Sequence, residues 1–214
     1  HYVRSCYDEK SGRWLLKKAI NADGTSNAKD QSYVLYRLSQ QQLAASVFPL
    51  GEMTKDEIRH IAADSGLINS DKPDSQDICF VQNGSYADFI EQYTGKNYPD
   101  GDFLDTNGNV IGRHKGVIRY TVGQRKGLGI SAPEPLYVKA GDINLISVPE
   151  IKGEMRVKAK VRYRHTEQWA TVTQNGETLT AVFNEPQRAV TCGQALVLYD
   201  GDTVVGGGTI IKVE

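Results

Sequence analysis

Residues 154–164 read Glu-Met-Arg-Val-Lys-Ala-Lys-Val-Arg-Tyr-Arg, and apolar and charged side chains alternate along this stretch. Successive side chains of a β-strand point to opposite faces, so the alternation predicts a strand with one packed face and one solvent face. The side chains predicted to pack are Met155, Val157, Ala159, Val161 and Tyr163. The opposite face is wholly cationic and comprises Arg156, Lys158, Lys160, Arg162 and Arg164.

The segments after this strand also have β-type sequence. Short apolar runs occur at 170–173, 179–183, 195–199 and 209–213. The dipeptides Asn175-Gly176 and Asp200-Gly201 predict two-residue hairpin turns between them. Because an all-β segment of about 65 residues is typical of a small barrel or sandwich, we predict a compact β-domain here.

Helical signals are confined to the part of the chain before about residue 100. Ser39-Gln40-Gln41-Gln42 and Thr54-Lys55-Asp56-Glu57 both match the capping box that opens a helix. Pro49 predicts the end of the first helix, and Gly66 predicts the end of the second. The sequence therefore predicts a helical, α/β-type first part of about 83 residues, followed by a mixed middle and the all-β segment.

Charges are segregated along the chain. Residues 113–164 contain 12 Lys and Arg against four Asp and Glu, a net charge of +8, whereas residues 1–112 and 165–214 have net charges of −5 and −4. Five cations in register on one strand repel one another unless neighbouring acids or a bound anion compensate them. The strand is compatible with either a solvated outer face or a phosphate-binding face. The net charge of +8 over residues 113–164 favours the phosphate-binding face.

A second basic stretch, residues 113–129, mixes cations with glycines. Glycines let a backbone approach a ligand closely, so Arg125 and Lys126 beside them are possible phosphate contacts. Residues 127–132 formally match the dinucleotide fingerprint GxGxxA, but two prolines follow where that fingerprint requires a helix. The phosphate loop GxxxxGK[ST] does not occur in the sequence, and we exclude both kinds of nucleotide site.

Composition excludes further classes. The 214 residues carry a net charge of −1, and no apolar run reaches the roughly 18 residues that a membrane helix needs. The first residues lack the basic and apolar regions of a signal peptide. Three widely spaced cysteines and four dispersed histidines match neither a disulfide framework nor a metal site. We expect a cytoplasmic protein with no membrane partner and no metal, whose histidines lie at the surface.

Cys79 has the most suggestive surroundings of the three cysteines, because it lies between Ile78 and Phe80 at the end of a polar stretch. A free Cys in such a position often behaves as a small buried hydrophobic residue, and nearby Asp74 and Asp77 would raise its pKa. Spacing alone leaves a structural and a reactive role open. The other two, Cys6 and Cys192, are expected to be structural or incidental.

Six blocks of the sequence closely resemble the tRNA-specific 2-thiouridylase family, MnmA or TrmU, in order over essentially the whole chain. They are Lys29–Tyr36, Phe48–Lys55, Asp74–Phe80, Gly123–Gly129, Arg162–Arg164 and Gly206–Gly208. The resemblance implies three parts. Residues 1–83 would belong to an adenine-nucleotide-hydrolase-like (PP-loop) α/β domain, residues 84–146 to a small central tRNA-binding domain, and residues 147–214 to a C-terminal β-barrel.

The resemblance also implies an activity. In this family ATP, as Mg-ATP, adenylates the C2 oxygen of the wobble uridine of tRNA, and sulfur from a cysteine persulfide then gives 2-thiouridine. Cys79 matches the persulfide-carrying cysteine, whose inner sulfur is released by attack of a second cysteine. The implied partners are tRNA and an upstream protein that donates persulfide sulfur, and the implied state is a monomer.

Seven residues match tRNA contacts of the family: His1, Lys29, Asp30, Gln31, Arg162, Tyr163 and Gln194. The remaining cations of the strand, Arg156, Lys158, Lys160 and Arg164, are possible phosphate contacts. One small departure is Cys192, which stands where the family usually has Pro in Thr-Pro-Gly-Gln.

The larger departure is the absence of two family motifs from the 214 residues. They are Ser-Gly-Gly-Val-Asp-Ser, which binds ATP, and Asn-Pro-Asp-x-x-Cys-Asn, which supplies the general base and the second cysteine. We expect the chain to be a fragment that is active only with the nucleotide-binding part attached. The alternatives are a non-catalytic tRNA- or RNA-binding module and a β-barrel module that binds protein partners.

Overall fold

The computed structural model describes residues 2–25, 27–68, 70, 85–105, 108–120, 137–188 and 190–213. The chain forms two compact units. The first combines His1–Asp71 with Glu134–Glu214, and the second comprises Lys72–Pro133. The predicted sites His1, Cys79, Arg125 and Lys126 lie outside the described residues.

The helices and strands of the first unit come from both ends of the chain. They are β1 (Val3–Asp8), β2 (Arg13–Lys18), α1 (Ser32–Leu35), α2 (Gln40–Ala44) and α3 (Lys55–Asp64). The second unit contributes α4 (Tyr86–Thr94), β3 (Gly101–Leu104) and β4 (Val110–His114). The first unit then continues with β5 (Tyr137–Leu145), β6 (Glu154–Lys160), β7 (Gln168–Asn175), β8 (Thr178–Phe183), β9 (Ala195–Asp200) and β10 (Thr203–Val213).

Six antiparallel strands close into a barrel in the order β5-β8-β7-β6-β9-β10, because β10 pairs with both β9 and β5. The interior is packed with side chains that include Val157, Ala159, Leu196 and Leu198, each at most 1% exposed. This barrel confirms the predicted β-domain. It includes β5, which comes from the range 84–146 predicted for the central domain.

β10 can pair on both sides because glycines let neighbouring backbones approach it. A Cβ atom on Gly207 would lie 2.3 Å from the carbonyl oxygen of Leu196 in β9 and 2.9 Å from the ring of Tyr36. A Cβ atom at such distances would force the neighbouring backbone to shift, so the close approach of the strands at this point depends on glycine. The block Gly206–Gly208, which carries part of the family resemblance, is therefore the seam of the barrel.

A second layer covers the outside of β9 and β10. The antiparallel hairpin β1–β2 joins β10 where Lys17 is paired with Thr203, and α1 and α2 pack beside it. These elements and the barrel wall share a second core, made of Val3, Leu16, Tyr33, Tyr36, Leu43, Ile146, Val197, Tyr199 and Val204. Since Leu196 and Leu198 face the barrel interior, β9 is buried on both faces.

Polar contacts fix the hairpin to the barrel. The guanidinium of Arg4 lies 2.6 Å from the carboxylate of Asp202 in the β9–β10 turn. The backbone N–H of Lys18 donates to the carbonyl of the same Asp202 at 2.8 Å. At the other end of β2, Arg13 donates to the carbonyls of Leu145 and Ile146 at 2.9 and 2.7 Å. The hairpin is thus held at both ends of β2.

Several predicted elements have shifted ends. Both capping boxes are formed, but α2 ends at Ala44, well before Pro49. The register pairs Asn175 with Thr178 and Asp200 with Thr203, so the central turn residues are Gly176-Glu177 and Gly201-Asp202. The predicted turns Asn175-Gly176 and Asp200-Gly201 were therefore each wrong by one position.

The cationic strand is shorter than predicted. β6 ends at Lys160, and the chain then turns so that the N–H of His165 donates to the carbonyl of Arg162 at 3.2 Å. Arg162 and Arg164 therefore do not lie on the strand, and the prediction that placed them there was wrong. The alternation itself is confirmed in the ladder, because Val157 and Ala159 are buried whereas Arg156 and Lys158 are exposed.

The second unit contains a helix and a two-stranded sheet. Ser85 and Asp88 form a capping box at the start of α4, and β3 pairs with β4. His114 packs edge-on against Phe103 and Tyr120, at ring distances of 5.4 and 6.0 Å, and is half-buried rather than fully at the surface as predicted. Among the described residues of the whole chain, no helix has the length and apolar character needed to cross a membrane.

The glycine seam yields a paired prediction. Gly207→Ala should lower the free energy of unfolding by about 1–3 kcal/mol, because the new methyl group overpacks the β9–β10 contact. Gly141→Ala in β5 should leave it unchanged or raise it by up to about 1 kcal/mol, because its Cβ atom would meet only Ile211 at 3.6 Å. Urea unfolding followed by circular dichroism measures both. Equal stability of the two variants would contradict the role given to Gly207.

Candidate nucleic-acid interface

Residues 29–31 form a tight loop before α1, held by its own side chains. The carboxylate of Asp30 accepts hydrogen bonds from the N–H of Ala19 at 2.9 Å and the hydroxyl of Ser32 at 2.7 Å. Gln31 is bonded twice to Tyr2, since its Oε1 accepts from the N–H of Tyr2 at 3.0 Å and its N–H donates to the carbonyl at 2.9 Å. Asp30 and Gln31 therefore shape the loop, and the exposed Lys29 lies at its surface.

This loop contacts the barrel through two tyrosines. The hydroxyl of Tyr163 donates to the carbonyl of Asp30 at 3.2 Å, and its ring lies 6.1 Å from the ring of Tyr33. Tyr33 in turn donates to the carbonyl of Ala195 in β9 at 2.8 Å. Burial raises the pKa of Tyr33 to about 12, so it remains a hydrogen-bond donor throughout the neutral range. Two segments about 130 residues apart thus meet directly.

Arg162 and Gln194 also lie together. Nε of Arg162 donates to Oε1 of Gln194 at 3.1 Å. Gln194 ends a turn in which its N–H donates to the carbonyl of Thr191 at 3.3 Å and Gly193 has a φ of +86°. This is a type II turn, whose second position favours Pro and is occupied here by the exposed Cys192. The turn forms without the family's proline.

Lys160 of β6 lies close to Tyr33, the tyrosine that packs against Tyr163. Nζ of Lys160 is 5.8 Å from the centroid of the Tyr33 ring. Burial lowers the pKa of Lys160, and the negative charges of Asp30 and Glu167 oppose that effect. A cleft of about 370 Å³ is lined by residues that include Lys18, Asp30, Lys158, Lys160, His165 and Glu167. Three of these side chains are lysines, and two are the carboxylates Asp30 and Glu167.

One cation of the cleft is already neutralised within the protein. Nζ of Lys18 lies 2.6 Å from a carboxylate oxygen of Glu167, and both side chains are less than 20% exposed. The same ammonium lies 4.5 Å from the centroid of the buried Tyr199 ring. Lys18 therefore supports the wall of the cleft, whereas Lys158 and Arg164 present exposed positive charge.

Sequence reasoning missed three residues of this region: Lys18, His165 and Trp169. Trp169 lies opposite Lys158 in the β6–β7 ladder and is 47% exposed. Trp169 immediately precedes the predicted apolar run 170–173. A predicted strand that began one residue earlier would have included it. Lys18 and His165 have no local sequence signal, because only the fold brings them to the cleft.

The structure therefore brings together most of the predicted binding residues that it describes. Asp30 contacts Tyr163, Arg162 contacts Gln194, and Lys158 and Lys160 line the cleft with Asp30. Arg156 lies on the same outer face of β6 as Lys158 but is not among the residues that line the cleft. Among the described residues, no group of three or more His, Cys, Asp and Glu side chains is placed to hold a metal ion.

Comparison with known families covers both compact units. Residues 1–83 match the tRNA methyl transferase HUP domain, residues 87–148 the tRNA methyl transferase PRC-barrel domain, and residues 137–210 the Aminomethyltransferase beta-barrel domain. The predicted fold class, an α/β part followed by a small central domain and a β-barrel, is confirmed by these matches.

Similar proteins named tRNA-specific 2-thiouridylase MnmA occur in several bacteria. Those of Lachnoclostridium phytofermentans, Clostridioides difficile and Acidobacterium capsulatum are 46%, 42% and 44% identical, each over 99% of this chain. The chain belongs to the MnmA family. It spans 64% of the length of each of these three relatives. The resemblance on which the sequence prediction depended is thereby confirmed for the family.

The cleft gives a testable pH dependence. Burial, together with the positive charges of Arg162 and Lys160, lowers the pKa of His165 below its ordinary 6.5. The folded protein therefore binds this proton less readily than the unfolded chain, so the free energy of unfolding should rise with pH up to about 6.5 and then level off. His165→Gln removes this contribution.

Urea unfolding of the wild-type protein and His165→Gln between pH 5 and 8 tests the expectation. The wild-type protein should lose more stability than the variant as the pH falls below about 6.5, and the difference should be constant above about pH 7. Parallel profiles over the whole range would show that His165 titrates normally.

Proposed function

We propose that this chain is part of a tRNA 2-thiouridylase, an enzyme that replaces the C2 oxygen of the wobble uridine of tRNA with sulfur. The names and 42–46% identity of the family relatives support this function. The observation that carries it is the contact between residues 30–33 and residues 160–163. Both segments match tRNA contacts of the family, and both contribute to the cleft that Lys158 and Lys160 line.

The arrangement is suited to a polyanion. Phosphates of tRNA would be attracted by Lys158, Lys160 and Arg164, while tyrosine and glutamine side chains at the same place can orient the ligand by hydrogen bonds. The contact between Arg162 and Gln194 places a guanidinium beside an amide, a pair that can contact both phosphate and ribose. Two further residues, Lys29 and His1, complete the proposed set of tRNA-binding residues.

The proposed chemistry depends on Cys79. The terminal sulfur of a Cys79 persulfide attacks C2 of the adenylated uridine, and AMP leaves with the former C2 oxygen. A second thiol then attacks the inner sulfur of Cys79, which breaks the S–S bond, leaves the transferred sulfur on the uridine and forms a disulfide with Cys79. The persulfide is restored by an upstream persulfide donor protein after this disulfide is reduced.

ATP serves this reaction as the adenylating substrate. The motif Ser-Gly-Gly-Val-Asp-Ser does not occur among the 214 residues, so we assign ATP binding to no residue of this chain. The proposal for the chain is therefore tRNA binding and sulfur transfer within the enzyme that contains it. We further propose that this enzyme is a cytoplasmic monomer.

Replacing Cys79 separates chemistry from binding. Cys79→Ser in the complete enzyme should abolish 2-thiouridine formation, because serine cannot carry a persulfide, while the affinity for tRNA stays within about twofold. Nucleoside mass spectrometry measures the product, and filter binding measures the affinity. Cys6→Ser is the matched control and should retain activity. Undiminished thiolation by Cys79→Ser would refute the role of Cys79 and leave an RNA-binding module as the alternative.

Replacing the cleft lysines tests the binding surface. Lys158→Gln combined with Lys160→Gln should weaken tRNA binding and lower the slope of log affinity against log salt by about 1–2, because up to two phosphate contacts are lost. Lys152→Gln is the control, since Nζ of Lys152 is already paired with Glu150 at 2.9 Å. An unchanged slope in the double variant would place tRNA on another surface.

A further inference from the structure

An exposed tryptophan lies next to the proposed tRNA surface and has no role in the function described so far. Trp169 is 47% exposed on the outer face of β7. Its strand neighbours are Lys158 in β6, directly opposite, and Asn184, whose N–H donates to the carbonyl of Trp169 at 3.1 Å. Its backbone is therefore fixed by the barrel while much of the indole faces solvent.

Two cations lie over the indole ring. The guanidinium carbon of Arg156 is 5.3 Å from the ring, and Nζ of Lys158 is 5.6 Å from it. Arg156 is held in place by Asn184 Oδ1 at 2.7 Å and Thr171 Oγ1 at 3.3 Å. Both of these acceptors are uncharged, so they orient the guanidinium without neutralising it.

Such a combination suits an unpaired nucleotide. Surfaces that bind single-stranded nucleic acid join cations, which follow the phosphates, to exposed aromatic rings, on which bases stack. Trp169 and its two cations form this combination on one rigid sheet face. An RNA partner is favoured over a protein partner because the surface is continuous with the cleft, since Lys158 both lines the cleft and lies over the Trp169 ring.

We propose that Trp169 stacks against an unpaired base of the bound tRNA, with Arg156 and Lys158 contacting the phosphates that flank this nucleotide. The inference rests on the proposed function, because it takes tRNA as the ligand. It adds a base-stacking contact to a surface that otherwise recognises phosphate and ribose. The ligand chemistry is a nucleotide of a loop or bulge, because a paired base in a helix does not expose its ring face.

The test uses the two tryptophans of the chain, Trp14 and Trp169. Within these 214 residues, Trp14→Phe leaves Trp169 as the only indole, so its fluorescence reports directly on the surface. Titration with an unmodified tRNA transcript should quench this fluorescence, with a dissociation constant equal to that from filter binding. A blunt RNA duplex of similar length should bind more weakly and cause little quenching.

Substitutions test the contribution to affinity. Trp169→Ala should weaken tRNA binding about fivefold to 150-fold, the range expected for loss of one stacked base, while Trp169→Phe should retain most of the affinity. Tyr7→Ala, which removes another exposed aromatic ring from the same unit, should leave the affinity unchanged. Circular dichroism verifies the fold, and if Trp169→Ala unfolds, the quenching experiment and Trp169→Phe decide the outcome.

The outcomes separate this inference from the proposed function. If tRNA binds with a salt-dependent affinity but neither quenches Trp169 nor responds to its replacement, the stacking contact is refuted and the proposed function stands. Equal quenching by the duplex would also refute it, because a duplex offers no unpaired base. If tRNA does not bind at all, both the inference and the proposed function fail.

Discussion

The structure depends on the burial of β9 on both faces. Leu196 and Leu198 fill the barrel, whereas Val197 and Tyr199 point outward and must be covered by another layer. The hairpin β1–β2 and the helices α1 and α2 supply that cover, so segments from the two ends of the chain share one core. Burial of several large apolar side chains on each face, at roughly 1.5–3 kcal/mol each, makes this layer integral to the barrel.

The same constraint assembles the candidate site. Once α1 lies on β9, the loop before it is placed beside β6, the strand that pairs with β9. The backbone carbonyl of Asp30 then meets Tyr163, and the ring of Tyr33 meets Lys160. Burial lowers the pKa of Lys160 and raises that of Tyr199. Binding residues from both halves of the sequence thus depend on one packing contact.

The sequence predicted local features well and pairing partners poorly. Alternation in β6 and the capping boxes at Ser39 and Thr54 are local, and the structure confirms them. The end of β6 is not local, because Lys160 is the last residue with a partner on β9. The hairpin β1–β2 and the strand β5 were not predicted. Both join the sheet by pairing with β10, which is distant in sequence, and local sequence does not show such pairing. The family resemblance, not spacing, assigned both Asp30 and Tyr163 to tRNA binding, and their contact with each other was not predicted.

The central claim is that two distant segments form one tRNA-binding surface. Hydrogen–deuterium exchange of the protein with and without unmodified tRNA tests it most directly, because it reports on every segment in one experiment. The account predicts that tRNA slows exchange both in residues 27–35 and in residues 156–165, at the same tRNA concentration. Protection confined to one of the two segments, or to neither, would contradict it.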